Sequence, residues 1–134
     1  MAIIHEFDPQ IYPRKLWVAV NPSMADINEF FDNKDGYIKP FEDSCDADCW
    51  HTGTKQPDVK GGVFVRFQSK RVMTADNIAH EATHLALMIF EYIGAKVDAE
   101  NQEPFAYLVG WIVKCINKVK NGGQNQRNGE DLRL

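Results

Sequence analysis

The sequence lacks a long hydrophobic run, an excess of basic charge and a paired set of cysteines, and each absence excludes a class of protein. No apolar stretch approaches the ~18 residues that a membrane-spanning helix needs. The 15 Lys and Arg residues against 19 Asp and Glu give a net charge of −4, which argues against nucleic acid or an anionic membrane as the partner. The 3 cysteines are an odd number and fit free thiols better than a disulfide framework.

The length and composition fit one ordinary globular domain, with 134 residues of which 44% are hydrophobic and 25% charged. The first residues contain no basic segment followed by an apolar one, so we expect no secretion signal and a cytoplasmic protein. We expect a single domain over residues 1–120. The polar residues 121–134, rich in Gly, Asn and Gln, are expected to form a disordered tail.

Apolar periodicity predicts an α+β arrangement of strands and helices. Ser23 and Thr74 are expected to cap two helices at their first turns, and Gly94 is expected to end the second of them. Residues 37–62 lack a regular pattern and are read as a long irregular segment with at most one short strand at 37–39. The predicted strands are 14–20 and 62–68, and the predicted helices are 24–31, 75–93 and 102–120.

The strongest motif is His80-Glu81-Ala82-Thr83-His84, which matches the pattern H-E-x-x-H. Residues four apart on an α-helix point the same way, so both imidazoles can reach one metal ion. Neutral imidazole is a usual ligand of Zn²⁺. Glu81 lies beside the pair without being a ligand, where a general base for a zinc-activated water is needed. The motif therefore predicts a Zn²⁺ site.

A catalytic zinc site with two histidines needs a third protein ligand, and Glu103 is the candidate. Glu103 lies 19 residues after His84, in the first turn of the next predicted helix. Two antiparallel helices with a short connection would bring this turn back beside the motif. Gly110, on the same face as Glu103, would let the two helices approach closely. Three other acids lie downstream as weaker alternatives: Glu91, Asp98 and Glu100.

This pattern resembles the gluzincin branch of the zincin metallopeptidases, in which His80-Glu81-x-x-His84 would be followed by Glu103 on the next helix. More narrowly, residues 11–18 (IYPRKLWV) and 103–111 (EPFAYLVGW) are similar to small gluzincin-like proteins encoded by phages and prophages of gut bacteria. The similarity spans residues 11–119.

The resemblance implies a minimal zincin-like fold, in which a small β-sheet packs on the central HExxH helix and a second long helix follows. An edge strand, expected at residues 63–67, would border the cleft and bind an extended peptide. The implied activity is that of a zinc metallopeptidase, a hydrolase that cleaves peptide bonds in a peptide or protein substrate. Zinc would activate the water, with Glu81 as the general base.

The resemblance also implies a side chain that stabilises the oxyanion formed at the scissile carbonyl. Tyr107 is the one tyrosine after Glu103 and is taken as the catalytic candidate. Three other residues are alternatives for this role: His51, Arg66 and Tyr92. The alternative function is a catalytically inactive zinc-binding protein that acts as a binding or regulatory module.

Cys45, Cys49 and His51 form a second candidate set of metal ligands, with Cys115 as a possible fourth. Their spacing differs from the two-residue interval of the usual thiolate knuckle. Free loop thiols and one buried cysteine are therefore the favoured interpretation.

Overall fold

The structure of the protein is a computed structural model that describes residues 1–56, 60–122 and 134. The predicted tail therefore lies mostly outside the described residues. The strands are β1 (Ile4–Phe7), β2 (Lys15–Val20), β3 (Ala47–Thr52) and β4 (Gly62–Phe67), and the helices are α1 (Met24–Phe30), α2 (Ala75–Ile93) and α3 (Glu103–Lys120). A single 3-10 turn, Lys70–Val72, precedes α2.

The four strands form one mixed sheet in the order β1-β2-β4-β3. β2 and β4 run parallel, while β1 and β3 are antiparallel to their neighbours. The sheet and helices confirm the α+β class. The expectation that residues 63–67 form an edge strand is wrong, because β4 is hydrogen-bonded on both sides. The edges are β1 and β3, and β3 comes from the segment that the sequence suggested was irregular.

Alternating side chains of β2 and β4 build a core on each face of the sheet. Val63, Val65 and Phe67 face α2 and α3, together with the alternate residues of β2. Phe64 and Trp17 point the other way and pack with Phe31 at the end of α1. The central strands are therefore buried on both sides, as expected for strands covered by helices.

The helix ends follow the capping residues expected from the sequence. The Ser23 hydroxyl accepts a hydrogen bond from the Asp26 amide at 3.0 Å, and the Thr74 side chain accepts one from the Asn77 amide. Gly94 ends α2 in the left-handed conformation with φ of 75°, which glycine adopts without steric cost. None of the helices in the described ranges combines the length and apolarity needed to cross a membrane.

A buried ion pair joins β3 to β4 on the α1 side of the sheet. Arg66 is 1% exposed, and its Nε and Nη2 donate to the two carboxylate oxygens of Asp48 at 2.7 and 2.9 Å. Nη2 also donates to the Lys39 carbonyl, and the guanidinium lies 4.1 Å from the centre of the Phe41 ring. These contacts attach the segment before β3 to the sheet.

We expect Asp48→Ala to lower the free energy of unfolding by about 2–3 kcal/mol, since it leaves the buried guanidinium of Arg66 without a counter-charge. The matched control is Asp43→Ala, which removes an exposed carboxylate from the same segment and should change stability by less than about 0.5 kcal/mol. Urea denaturation of the two variants checks this. Equal free energies of unfolding for the two variants would contradict a stabilising role for the Arg66–Asp48 ion pair.

Candidate functional site

The burial of one side of α2 decides which motif residues reach solvent. Ile78, Ala82 and Leu85 are buried against the sheet and α3. His80 and His84 lie on the opposite side of the helix and are exposed, as the sequence predicts. Glu81 falls at the border between the two sides and is only 9% exposed.

The two histidines converge on one point in space. Their Nε2 atoms are 3.1 Å apart, and the rings meet edge to face. Two nitrogens bound tetrahedrally to one zinc ion, each at about 2.0–2.1 Å, would be about 3.3 Å apart. The observed separation is close to this value and equally suits a hydrogen bond between the two imidazoles, so the spacing is compatible with a shared transition-metal ion.

The Glu81 carboxylate is buried with few partners. Its Oε1 accepts a hydrogen bond from the Cys49 thiol at 3.1 Å, and its Oε2 lies 3.9 Å from Nε2 of His80. No other hydrogen bond to this carboxylate is found among residues 1–56, 60–122 and 134. Because a buried carboxylate is costly without a counter-charge, a cation held by the histidine pair would offset part of the cost of burying Glu81.

A shallow cleft of about 320 Å³ lies between the start of β3 and the middle of α2. Its walls are Ala47, Asp48 and Cys49 on one side and His80, Glu81, His84 and Met88 on the other. Burial, and then the nearby Glu81 carboxylate, raise the pKa of the Cys49 thiol far above its ordinary value. Cys49 is therefore a neutral hydrogen-bond donor in this cleft rather than a thiolate.

The outer edge of β3 lies beside the cleft at the start of the strand, where Ala47–Cys49 line it. The Gln68 amide donates to the Asp46 carbonyl at 2.9 Å, and in an antiparallel pair every second residue bonds inward. The backbone groups of Cys49 and His51 therefore point outward from the sheet. No other described segment donates to or accepts from these groups, so this edge can pair with an added strand.

The alternatives for oxyanion stabilisation lie away from the histidine pair. Arg66 is on the opposite face of the sheet, bonded to Asp48. The Tyr92 ring lies 3.9 Å from the Arg14 guanidinium. Nε2 of His51 lies 3.4 Å from the Glu91 carboxylate, further along α2. None of the three lines the cleft.

Glu103 and Tyr107 lie on the exposed face of α3 and do not line the cleft. α2 continues for nine residues beyond His84, which carries its end about 13 Å further along the axis. The rings of Phe90 and Phe105 are 5.4 Å apart, so the first turn of α3 lies level with the end of α2. Among the described residues, no three His, Cys, Asp or Glu side chains form a group placed to hold a metal. The role of Glu103 as third ligand stays a prediction.

The second candidate set of ligands is also not gathered in the described part of the chain. Cys45 donates to the Ala47 carbonyl at 2.8 Å, and Cys49 donates to Glu81. Cys115, a residue of α3, is buried in the core. The three cysteines are free and Cys115 is buried, as expected, but Cys49 lies in β3 rather than in a loop.

Two features of the site were missed by sequence reasoning, namely the edge strand β3 and the contact of Cys49 with Glu81. Trp50 and Thr52, residue types that favour strands, were the usable signal. All six residues of β3 are half-buried, so the strand shows no clear contrast between an apolar and a polar face.

Comparison with known proteins gives no match: no protein-family model, no curated protein and no solved structure matches this chain. The site is therefore interpreted from its own geometry.

Gly110 does not serve the close helix approach expected from the sequence. It lies on the exposed face of α3, and an added Cβ would have no atom within 4 Å. This expectation is wrong, because α3 packs on α2 through other residues, including Leu108, Ile112 and Cys115. An exposed glycine inside a helix only costs backbone entropy.

We expect Gly110→Ala to raise the free energy of unfolding by about 0.5–1 kcal/mol, because alanine is the better helix former and has room here. Gly62→Ala is the matched comparison, since its Cβ would lie 2.0 Å from the Lys15 carbonyl oxygen, and it should destabilise the protein by about 2 kcal/mol or more. Thermal and urea unfolding measure both changes. A lower free energy of unfolding for Gly110→Ala would instead support a close approach of α2 and α3 at Gly110.

Proposed function

We propose that this protein is a zinc-dependent metallopeptidase-like hydrolase with a zincin-like arrangement, in which His80 and His84 bind the metal and Glu81 is the general base. The observation that carries the proposal is the convergence of two exposed imidazole nitrogens beside a buried carboxylate. The 3.1 Å separation of the nitrogens suits one ion. The 3.9 Å between Glu81 and His80 puts the carboxylate within reach of a water on that ion.

Zinc, when bound, lowers the pKa of a coordinated water toward ~7 and polarises the carbonyl of the scissile bond. Oε2 of Glu81, which is free of the Cys49 hydrogen bond, takes the proton from the attacking water. The same oxygen then delivers this proton to the nitrogen of the leaving amine. Glu81 therefore acts first as a base and then as an acid.

The proposed substrate is an extended peptide or protein segment that adds to the edge of β3. The outward backbone groups of Cys49 and His51 would bond to the peptide main chain, as in other cases of strand addition. A peptide in this position would pass along the cleft whose other wall contains His80 and His84. Main-chain bonding alone would make recognition largely independent of the peptide's sequence.

Glu103 remains our candidate for the third ligand, and its binding would require the first turn of α3 to approach the cleft. The connection between α2 and α3, residues 94–102, is exposed for most of its length. The movement would also have to break the contact of Phe105 with Phe90.

The second candidate function is a zinc-binding module without turnover. The observation that favours it is the outward position of Tyr107, which is 67% exposed on α3, together with the distance of Glu103 from the cleft. A site with two imidazoles and no oxyanion-stabilising side chain could hold a metal without accelerating hydrolysis.

We expect zinc affinity, measured by competition with a chromophoric chelator, to fall at least about 100-fold in His80→Ala or His84→Ala, because each removes one of the metal ligands. Glu103→Gln should weaken binding about 10-fold or more, whereas Glu100→Gln, on the adjacent connection, should not. Unchanged affinity in both histidine variants would contradict the metal site. If the zinc affinity is unchanged in Glu103→Gln but falls in the histidine variants, only the assignment of Glu103 as the third ligand is rejected.

We expect Glu81→Gln to keep zinc affinity within about threefold and to lower hydrolysis of a generic unfolded protein, such as casein, by at least about 100-fold, since the amide cannot accept the proton. Glu91→Gln, a carboxylate change on the same helix outside the cleft, is the control and should retain activity. A wild-type protein that binds zinc but cleaves no peptide, with the Glu81→Gln variant indistinguishable from it, would favour the binding module.

A further inference from the structure

We propose that Cys49 is a positioning residue for Glu81, an inference that rests on the proposed function of this site. The Cys49 thiol donates its hydrogen to Oε1 of Glu81 at 3.1 Å and also lies 3.9 Å from the Glu81 carbonyl oxygen. It is the one hydrogen-bond donor to this carboxylate among the residues that the structure describes. The thiol holds one carboxylate oxygen and leaves the other facing the histidine pair.

The backbone of β3 fixes the thiol where this contact is possible. Cys49 lies opposite Val65 in the β3–β4 pair, so its side chain shares the face of Val65 and points toward α2. Glu81 projects from α2 toward the same gap. Because a strand and a helix packed on one core place both side chains, the hydrogen bond restricts the rotamers of Glu81 at small entropic cost.

Two other roles for Cys49 fit the structure less well. A reactive thiol is exposed and placed in electropositive surroundings, whereas Cys49 is half-buried beside a carboxylate. A zinc-ligating sulfur would be directed at the ion shared by the two histidines, whereas the contacts of the Cys49 sulfur in the described residues are to Glu81, at 3.1 and 3.9 Å. Hydrogen-bond donation is the role that this position supports.

The contact itself is tested without any assay of activity. The S–H stretching band of Cys49, assigned by its loss in Cys49→Ala, should lie at a lowered frequency in the wild type because a carboxylate is a strong acceptor. Glu81→Gln should shift this band to higher frequency, while the band of Cys45 stays in place. An unmoved Cys49 band in Glu81→Gln would overturn the proposal.

The positioning role is tested by kinetics of the zinc-loaded protein. Cys49→Ala should lower kcat about tenfold with KM within about twofold, because a carboxylate that has lost its donor samples more orientations. Cys49→Ser, which keeps a donor of similar size, should restore most of kcat. Cys45→Ala is the thiol control and should match the wild type.

The outcomes separate this inference from the proposed function. A kcat unchanged in Cys49→Ala, or zinc affinity lowered about 100-fold by this variant, would overturn positioning, the latter by making the thiol a ligand. Absence of hydrolysis by the wild type would overturn the catalytic function. The S–H band would then decide alone whether Cys49 holds Glu81.

Discussion

The rotation of α2 about its own axis, fixed by the burial of its apolar side, is the constraint on which the site depends. Ile78, Ala82 and Leu85 pack into the core between the sheet and α3, and burial of an Ile or Leu side chain stabilises the fold by about 1.5–3 kcal/mol. This packing leaves His80 and His84 exposed and adjacent. A rotation of one residue around the helix would bury an imidazole and expose Ala82, so the site and the core are specified by the same contacts.

Burial of the Glu81 carboxylate opposes the stability of the fold. A carboxylate that is 9% exposed loses most of its hydration, and one thiol donor returns only part of the lost free energy. The neighbouring histidine pair supplies a place for a bound cation. The stability of the polar cleft therefore depends on whether a cation binds there. The Arg66–Asp48 pair differs, because its two charges neutralise each other within the fold.

Much of the fold followed from local sequence patterns. The capping residues Ser23, Thr74 and Gly94 and the apolar stripe of α2 were sufficient to place the helices within one or two residues. β1 has four residues, and β3 mixes polar and apolar side chains on both of its faces, so neither gave a clear alternation. The order of strands, and with it the identity of the edge, depends on long-range pairing that a local pattern does not contain.

The functional site, like the fold, was only partly predictable from the sequence. The convergence of His80 and His84 follows from helix geometry alone. The position of Glu103 depends on where α2 ends and on how α3 returns, and nine helical residues beyond His84 place it far along the axis. The contact of Cys49 with Glu81 depends on β3, which the sequence did not reveal. Contacts within one helix were therefore predictable, and contacts between elements were not.

X-ray absorption spectroscopy of the zinc-loaded protein tests the central claim most directly, because it reports the atoms bound to the metal. We expect two imidazole nitrogens at about 2.0–2.1 Å, with oxygen completing the shell and no sulfur. A shell without imidazole scattering, or one with sulfur at about 2.3 Å, would contradict a site built on His80 and His84 with Cys49 as a hydrogen-bond donor.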